Sequence, residues 1–326
     1  LHPVAHSFPT RRSSDLESGA YLRAPTGAKA FAMGGAGTAS PGYLCAWWNP
    51  AILSTYKNSR AALGMGIRSM GRTEGFGSFG FRIPPRVGMG MTLLYRGDPF
   101  LTGLRDRDEN EVERGAYTTL TLKTALSYVV SRRLSVVAVT LKKKQNMPTG
   151  IEADRSLRNS AVTGIGGFDF GVRYELGEDW TVALVGRNLG VSMDWEVRTR
   201  AGGGMNATIE DRPLPSFVAG SRLQRPLMDR PFVWTCDAVG YIFDGEWKRL
   251  PRAEAFVYNG FEWRRWDTFR IRAGIGDLAV NTKMFSDPAE YFDTFAFRLT
   301  AGFGVDLTKV RKGLKLNYAV ATDKVW

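Results

Sequence analysis

From residue 59 onward the sequence repeats with a period of two. In Val87-Gly88-Met89-Gly90-Met91-Thr92-Leu93-Leu94-Tyr95 the odd positions are bulky and apolar and the even ones mostly small. Side chains that alternate across a strand produce this pattern, and a helix does not. It returns at Leu120, Leu122, Leu126 and Tyr128, at Phe168, Phe170, Val172 and Tyr174, at Phe269, Ile271, Ala273 and Ile275, and at Leu314, Leu316, Tyr318 and Val320. Thr, Ser, Gly, Lys and Arg hold most of the positions between. Thirteen strands are expected, near 59–68, 75–83, 86–96, 115–130, 133–143, 164–175, 180–191, 214–224, 231–241, 251–263, 267–277, 291–306 and 313–322. Most are about 10 residues long, the length a tilted membrane-spanning strand needs.

The connections alternate too. Long ones such as 97–114, 144–163, 192–213 and 278–290 take turns with short ones such as Pro84-Pro85, Ser131-Arg132-Arg133, Gly177-Glu178-Asp179 and Arg264-Arg265-Trp266. A soluble sandwich has no reason to put its long loops on one side, whereas bacterial outer-membrane barrels have long outer loops and short periplasmic turns. Residue 59 is thereby placed on the periplasmic side. Tyr95, Tyr128, Tyr174, Trp180, Trp263 and Tyr291 lie near strand ends on the apolar parity, as girdle aromatics do.

Alternation alone does not say whether the apolar face meets lipid or a core. Strand number bears on it, because about eight strands already make a barrel that side chains fill, and a larger one leaves a lumen. A polar inner face and a lipid-facing apolar face follow. With no uninterrupted apolar run of helix-spanning length, any crossing of a membrane is by strands. The expected fold is all-β: a transmembrane antiparallel up-and-down β-barrel of the 14-stranded type, since bacterial single-chain barrels have even strand numbers. The last strand is then truncated from this chain, and a soluble basic β protein is the rival fold.

The opening LHPVAHSFPTRRSSDL has no apolar core and no small-residue cleavage site, and SFPTRRSSDL resembles a translated sequencing adapter of the kind seen in metagenomic fragments. Residues 1–16 are set aside as non-native, and an export signal is presumed missing. Residues 17–58 are expected to form a small N-terminal plug and residues 59–326 the barrel. Within the plug, AMGGAGTASPGYLCAWWNPAILS, residues 32–54, combines small residues suited to tight turns with an Asn-Pro turn signal.

Chemistry is sparse. The two histidines are His2 and His6, so histidine-dependent catalysis and metal ligation are set aside for the folded part, and no catalytic residue, cofactor or metal is assigned. Cys45 and Cys236 have no CxxC spacing. Gly34-Gly35-Ala36-Gly37 and Gly164-Ile165-Gly166-Gly167 lack the context of a phosphate-binding loop. Asp106, Asp108, Glu109, Glu111 and Glu113 form a charge-dense loop, read as solvated surface with a cation- or lipopolysaccharide-bridging role left open. The net charge of +12 admits nucleic acid, but aromatics and arginines fall on opposite faces, which argues against it. Arg68, Arg82, Arg96, Arg173, Arg187, Arg270, Arg272 and Arg298 have lumen parity. They form either a cationic path for solutes or filling networks with Asp169, Glu175 and Asp237, and both stay open.

Several motifs resemble the FadL-like outer-membrane proteins, in particular the PorV/PorQ-like group. They are Met33-Gly34-Gly35-Ala36-Gly37 leading to Trp48-Asn49-Pro50-Ala51, Asn188-Leu189-Gly190, Leu214-Pro215-Ser216, Arg270-Ile271-Arg272-Ala273-Gly274, Thr300-Ala301-Gly302-Phe303-Gly304 and Leu316-Asn317-Tyr318-Ala319. The resemblance implies a 14-stranded barrel with a hatch whose motif is Gly34, Gly35, Gly37, Trp48, Asn49, Pro50 and Ala51. It implies a bacterial outer-membrane protein rather than an enzyme. PorV-like members serve as conduits or docking components in type IX secretion, and FadL-like members admit hydrophobic small molecules. Partners would be outer-membrane lipid and lipopolysaccharide, with either a hydrophobic small molecule or an exported or secretion-system protein. A membrane-embedded lipid-modifying enzyme is the reading from another class.

Overall fold

The computed structural model describes residues 25–40, 42–68, 72–101, 115–151, 157–190, 193–198, 207–211, 215–241, 254–280 and 297–322. Residues 1–24, Tyr291 and the acidic stretch 106–113 lie outside them. The chain runs up and down through β1 (Arg60–Ile67), β2 (Thr73–Ile83), β3 (Val87–Leu101), β4 (Gly115–Val129), β5 (Leu134–Ile151), β6 (Leu157–Glu175) and β7 (Trp180–Leu189). A short hairpin follows, β8 (Met193–Arg198) and β9 (Ala207–Asp211). The path then resumes with β10 (Ser216–Leu227), β11 (Arg230–Tyr241), β12 (Glu254–Trp263), β13 (Phe269–Val280), β14 (Arg298–Asp306) and β15 (Lys315–Ala321).

Thirteen of these pair antiparallel in chain order, with β7 beside β10, and the hairpin stands off the path with β8 against Asn159–Thr163 of β6. Among the described residues no ladder joins β1 to β15, so the fourteenth strand of the expectation is not among them.

The loop expectations need two corrections. Most of 144–163 is not a loop, because β5 and β6 stay paired from Lys144 opposite Thr163 to Ile151 opposite Leu157. The stretch 192–213 holds the β8–β9 hairpin. Lys142-Lys143-Lys144-Gln145-Asn146 has no apolar face, so the period-two signal is silent there. A ladder needs only paired backbone N–H and C=O groups and does not require that signal.

The two faces are the reverse of a water-soluble sheet. Met91 is 50% exposed while its neighbour Thr92 is wholly buried, and Leu126 is 55% exposed beside a buried Ser127. Phe168, Leu184, Ile271, Leu299 and Leu316 point outward in the same way, and Asp169, Thr235, Arg272 and Thr300 inward. One short segment shows why the inner face is buried. Within residues 25–56, α1 (Ala28–Ala32) packs on β13, β14 and β15, whereas a 3-10 turn, Pro50–Thr55, packs on β2 through β6. A segment this short touches both ends of the strand path only because the sheet curls around it.

Candidate functional site

The interior is occupied by residues 25–56, and the sequence explains the route they take. After α1, Gly34 and Gly35 adopt φ of 71° and 101°, the left-handed region, and turn the chain along the wall. Next comes α2 (Cys45–Trp48), followed by Asn49 in an extended conformation, as a residue before proline prefers. The Asn49 side-chain oxygen accepts from the Ala51 amide at 3.1 Å and so caps the 3-10 turn that Pro50 opens. Asn49 is fully buried, and its Nδ2 donates to the Val172 carbonyl of β6. The sequence-assigned Gly34, Gly35, Gly37, Asn49, Pro50 and Ala51 all lie buried in this segment, and Trp48 lies partly buried.

Contact with the wall is backbone on backbone. A Cβ at Gly274 would stand 2.2 Å from the Gly34 nitrogen, and one at Gly276 would stand 2.1 Å from the Gly34 carbonyl oxygen. At Gly88 it would meet the Ser54 nitrogen at 2.2 Å. These strand positions are therefore glycine because the segment lies directly on them.

Polar groups fix the register. Asp237 of β11, almost wholly buried, accepts with one Oδ2 from the amides of Gly37 and Thr38, both at 2.9 Å. The Thr300 hydroxyl accepts from the Gly34 amide at 2.9 Å and donates to the Ala32 carbonyl at 3.1 Å. The two tryptophans are held by cations from the wall. The Lys123 ammonium lies 4.7 Å from the Trp47 ring centre and 2.5 Å from the Asp169 carboxylate. Arg187 donates to the Trp48 carbonyl at 3.1 Å with its guanidinium 5.6 Å from that ring. Asp169 also accepts from the Asn188 amide, where a bulge in β7 adds one residue and Asn188 takes φ of 58°. At the start of the segment Glu74 is shared by Arg68 and Arg96, which donate to the Pro25 carbonyl and the Thr26 hydroxyl. Within the segment, burial holds the Lys29 ammonium down to about 8 against the opposing pull of Glu262.

Of the eight arginines with lumen parity, Arg82 departs from the expectation. It shares that parity but sits exposed at the rim, donating to the Pro85 carbonyl, because its strand has run past the enclosed space. Six others each have a carboxylate within 3.3 Å: Arg68 and Arg96 on Glu74, Arg173 on Glu175, Arg270 on Asp306, Arg272 on Glu262, and Arg298 on Asp277. The arrangement is a set of paired networks, not a row of bare cations. Of the three acids named from the sequence, Glu175 takes an arginine, Arg173, whereas Asp169 takes Lys123 and Asp237 takes backbone amides. Lys123, Thr300 and the wall glycines have no role at the site assigned from the sequence, although each falls between the apolar positions of its strand, which marks it as inward.

No protein-family profile matches the chain, and no curated protein matches it. The fold recurs in solved structures. The Pseudomonas putida toluene transporter TodX superposes with a TM-score of 0.57 over 91% of this chain and 92% of its own, at 12% identity. The CymD monoaromatic hydrocarbon channel gives 0.55 over 91% and 92% at 15% identity. A Pseudomonas aeruginosa FadL homologue gives 0.56 over 91% and 89% at 14% identity. At these identities the likeness is one of fold, and it is to FadL-like barrels.

Proposed function

We propose that the chain is an outer-membrane barrel of FadL-like build that admits hydrophobic small molecules. Residues 17–58 serve as its hatch and residues 59–326 as its wall. The observation that carries this is the inverted sheet, apolar outside and polar inside, around a single seated segment. Such a sheet pairs the backbone groups of every path strand between β1 and β15 on both sides and offers hydrocarbon an apolar band, as the wall of a spanning barrel does. Two of the neighbouring folds named above are a toluene transporter and a monoaromatic hydrocarbon channel, which favours small-molecule uptake over the type IX docking role. The latter rests on the PorV/PorQ-like motifs alone. Lipid and lipopolysaccharide are the surroundings this reading implies, and nothing in it calls for catalysis.

The test is uptake of toluene into vesicles whose outer leaflet is lipopolysaccharide, which retards apolar solutes, holding the folded full chain, beside the variant Gly274→Val, whose side chain would collide with Gly34. Toluene equilibration faster than in empty vesicles, and faster still when the hatch is unseated, supports the reading. Rates equal to empty vesicles for both proteins overturn it.

A further inference from the structure

The strand path returns six times through short turns on one edge: 84–86, 130–133, 176–179, 228–229, 264–268 and 307–314. These turns carry eight lysines and arginines against four acids. Two of the acids are already engaged, Asp179 by Arg225 at 3.7 Å and Asp267 by Arg230 at 3.2 Å, and both arginines lie outside the turns. Arg132, Arg133, Lys309, Arg311 and Lys312 are all exposed. This is not an ordinary solvated charge run, because apolar side chains stand at the same tips. Val310 is 80% exposed, Met228 76% and Trp266 53%. The Arg265 guanidinium lies 5.4 Å from the Trp263 ring and 5.8 Å from that of Trp266. Just along the strands come the outward rings of Tyr128, Tyr174 and Trp180.

Apolar tips, aromatic rings and cations in one band match a bilayer interface, where rings sit at headgroup depth and each basic residue draws anionic lipid. We infer that the short-turn rim is a binding surface for the phosphodiester headgroups of anionic phospholipid. An acidic protein would satisfy the cations but would give the exposed tips no reason to continue the girdle. The inference rests on the membrane reading above.

The full chain is folded in phosphatidylcholine vesicles, confirmed by heat-modifiable gel mobility, and its association with spin-labelled phosphatidylglycerol is compared with spin-labelled phosphatidylcholine. The anionic lipid is expected to associate roughly threefold more strongly at low salt and to approach parity at about 0.5 M NaCl. The same loss is expected in the variant Arg132→Gln/Arg133→Gln/Lys309→Gln/Arg311→Gln/Lys312→Gln. Should that variant not fold, the salt series on the unmodified chain decides. Parity for the folded unmodified chain, or a preference that survives salt and substitution, overturns the inference. Capture of soluble polyglutamate alongside lipid parity overturns it in favour of an acidic protein. A chain that never inserts overturns the membrane reading as well, so the two failures are told apart.

Discussion

At the scale of single residues, the seat of the inner segment depends on a few inward groups. Asp237 serves two consecutive amides of the inner segment, Gly37 and Thr38, so Asp237→Ala leaves both without that partner in a buried place. Each lost charge-assisted bond is worth about 1.5–3 kcal/mol, so the segment should become protease-sensitive while the strands stay folded. Asp237→Asn, which keeps one acceptor oxygen, should fall between. Protection of the segment should also vary with pH through Lys29. Its seated value of about 8 lies below the value of about 10.4 for a free lysine. The burial penalty is then fully present below pH 8 and disappears as pH rises towards 10.4, so seating should strengthen over that window. Lys29→Met should abolish the slope, and proteolysis rates between pH 7 and 10 check it. Parity made most inward residues legible in the sequence, Lys123 and Thr300 included. It did not tell which acid each cation would take, since partners such as Arg272 and Glu262 lie on separate strands and meet only once register is set.

At the scale of elements, the thirteen strands on the path follow the alternation because one face of each is apolar over about ten residues. The same logic explains what was hidden. The outer parts of β5 and β6 lack that face, and β8 carries it only at Met193, Trp195 and Val197, a run too short to stand out from a loop, so pairing reveals them. Turn chemistry was also silent at the β10–β11 hairpin, where Leu227 faces Arg230 across two residues and both Met228 and Asp229 take positive φ, 52° and 57°. A two-residue turn with both centres left-handed favours Asn-Gly. Met228→Asn with Asp229→Gly should therefore stabilise the fold by about 0.5–1 kcal/mol, read as a higher urea midpoint with an unchanged slope.

At the scale of the whole molecule, one sheet is turned inside out around its own N-terminal segment, and the consequences differ from those of a soluble β protein. Leu126→Arg should cost about 2–4 kcal/mol of stability in a bilayer, because the side chain faces hydrocarbon. On a watery surface the same change would stay within roughly 0.5 kcal/mol. Refolding titrations in phosphatidylcholine vesicles separate the two. The most direct measurement of the central claim is a nitroxide scan along β3 from Met89 to Tyr95 in the folded, membrane-inserted chain. Collision with dissolved oxygen should peak at Met89, Met91, Leu93 and Tyr95 and fall at Gly90, Thr92 and Leu94. Oxygen peaks absent from the first set, with a water-soluble nickel chelate reaching those positions freely, would contradict it.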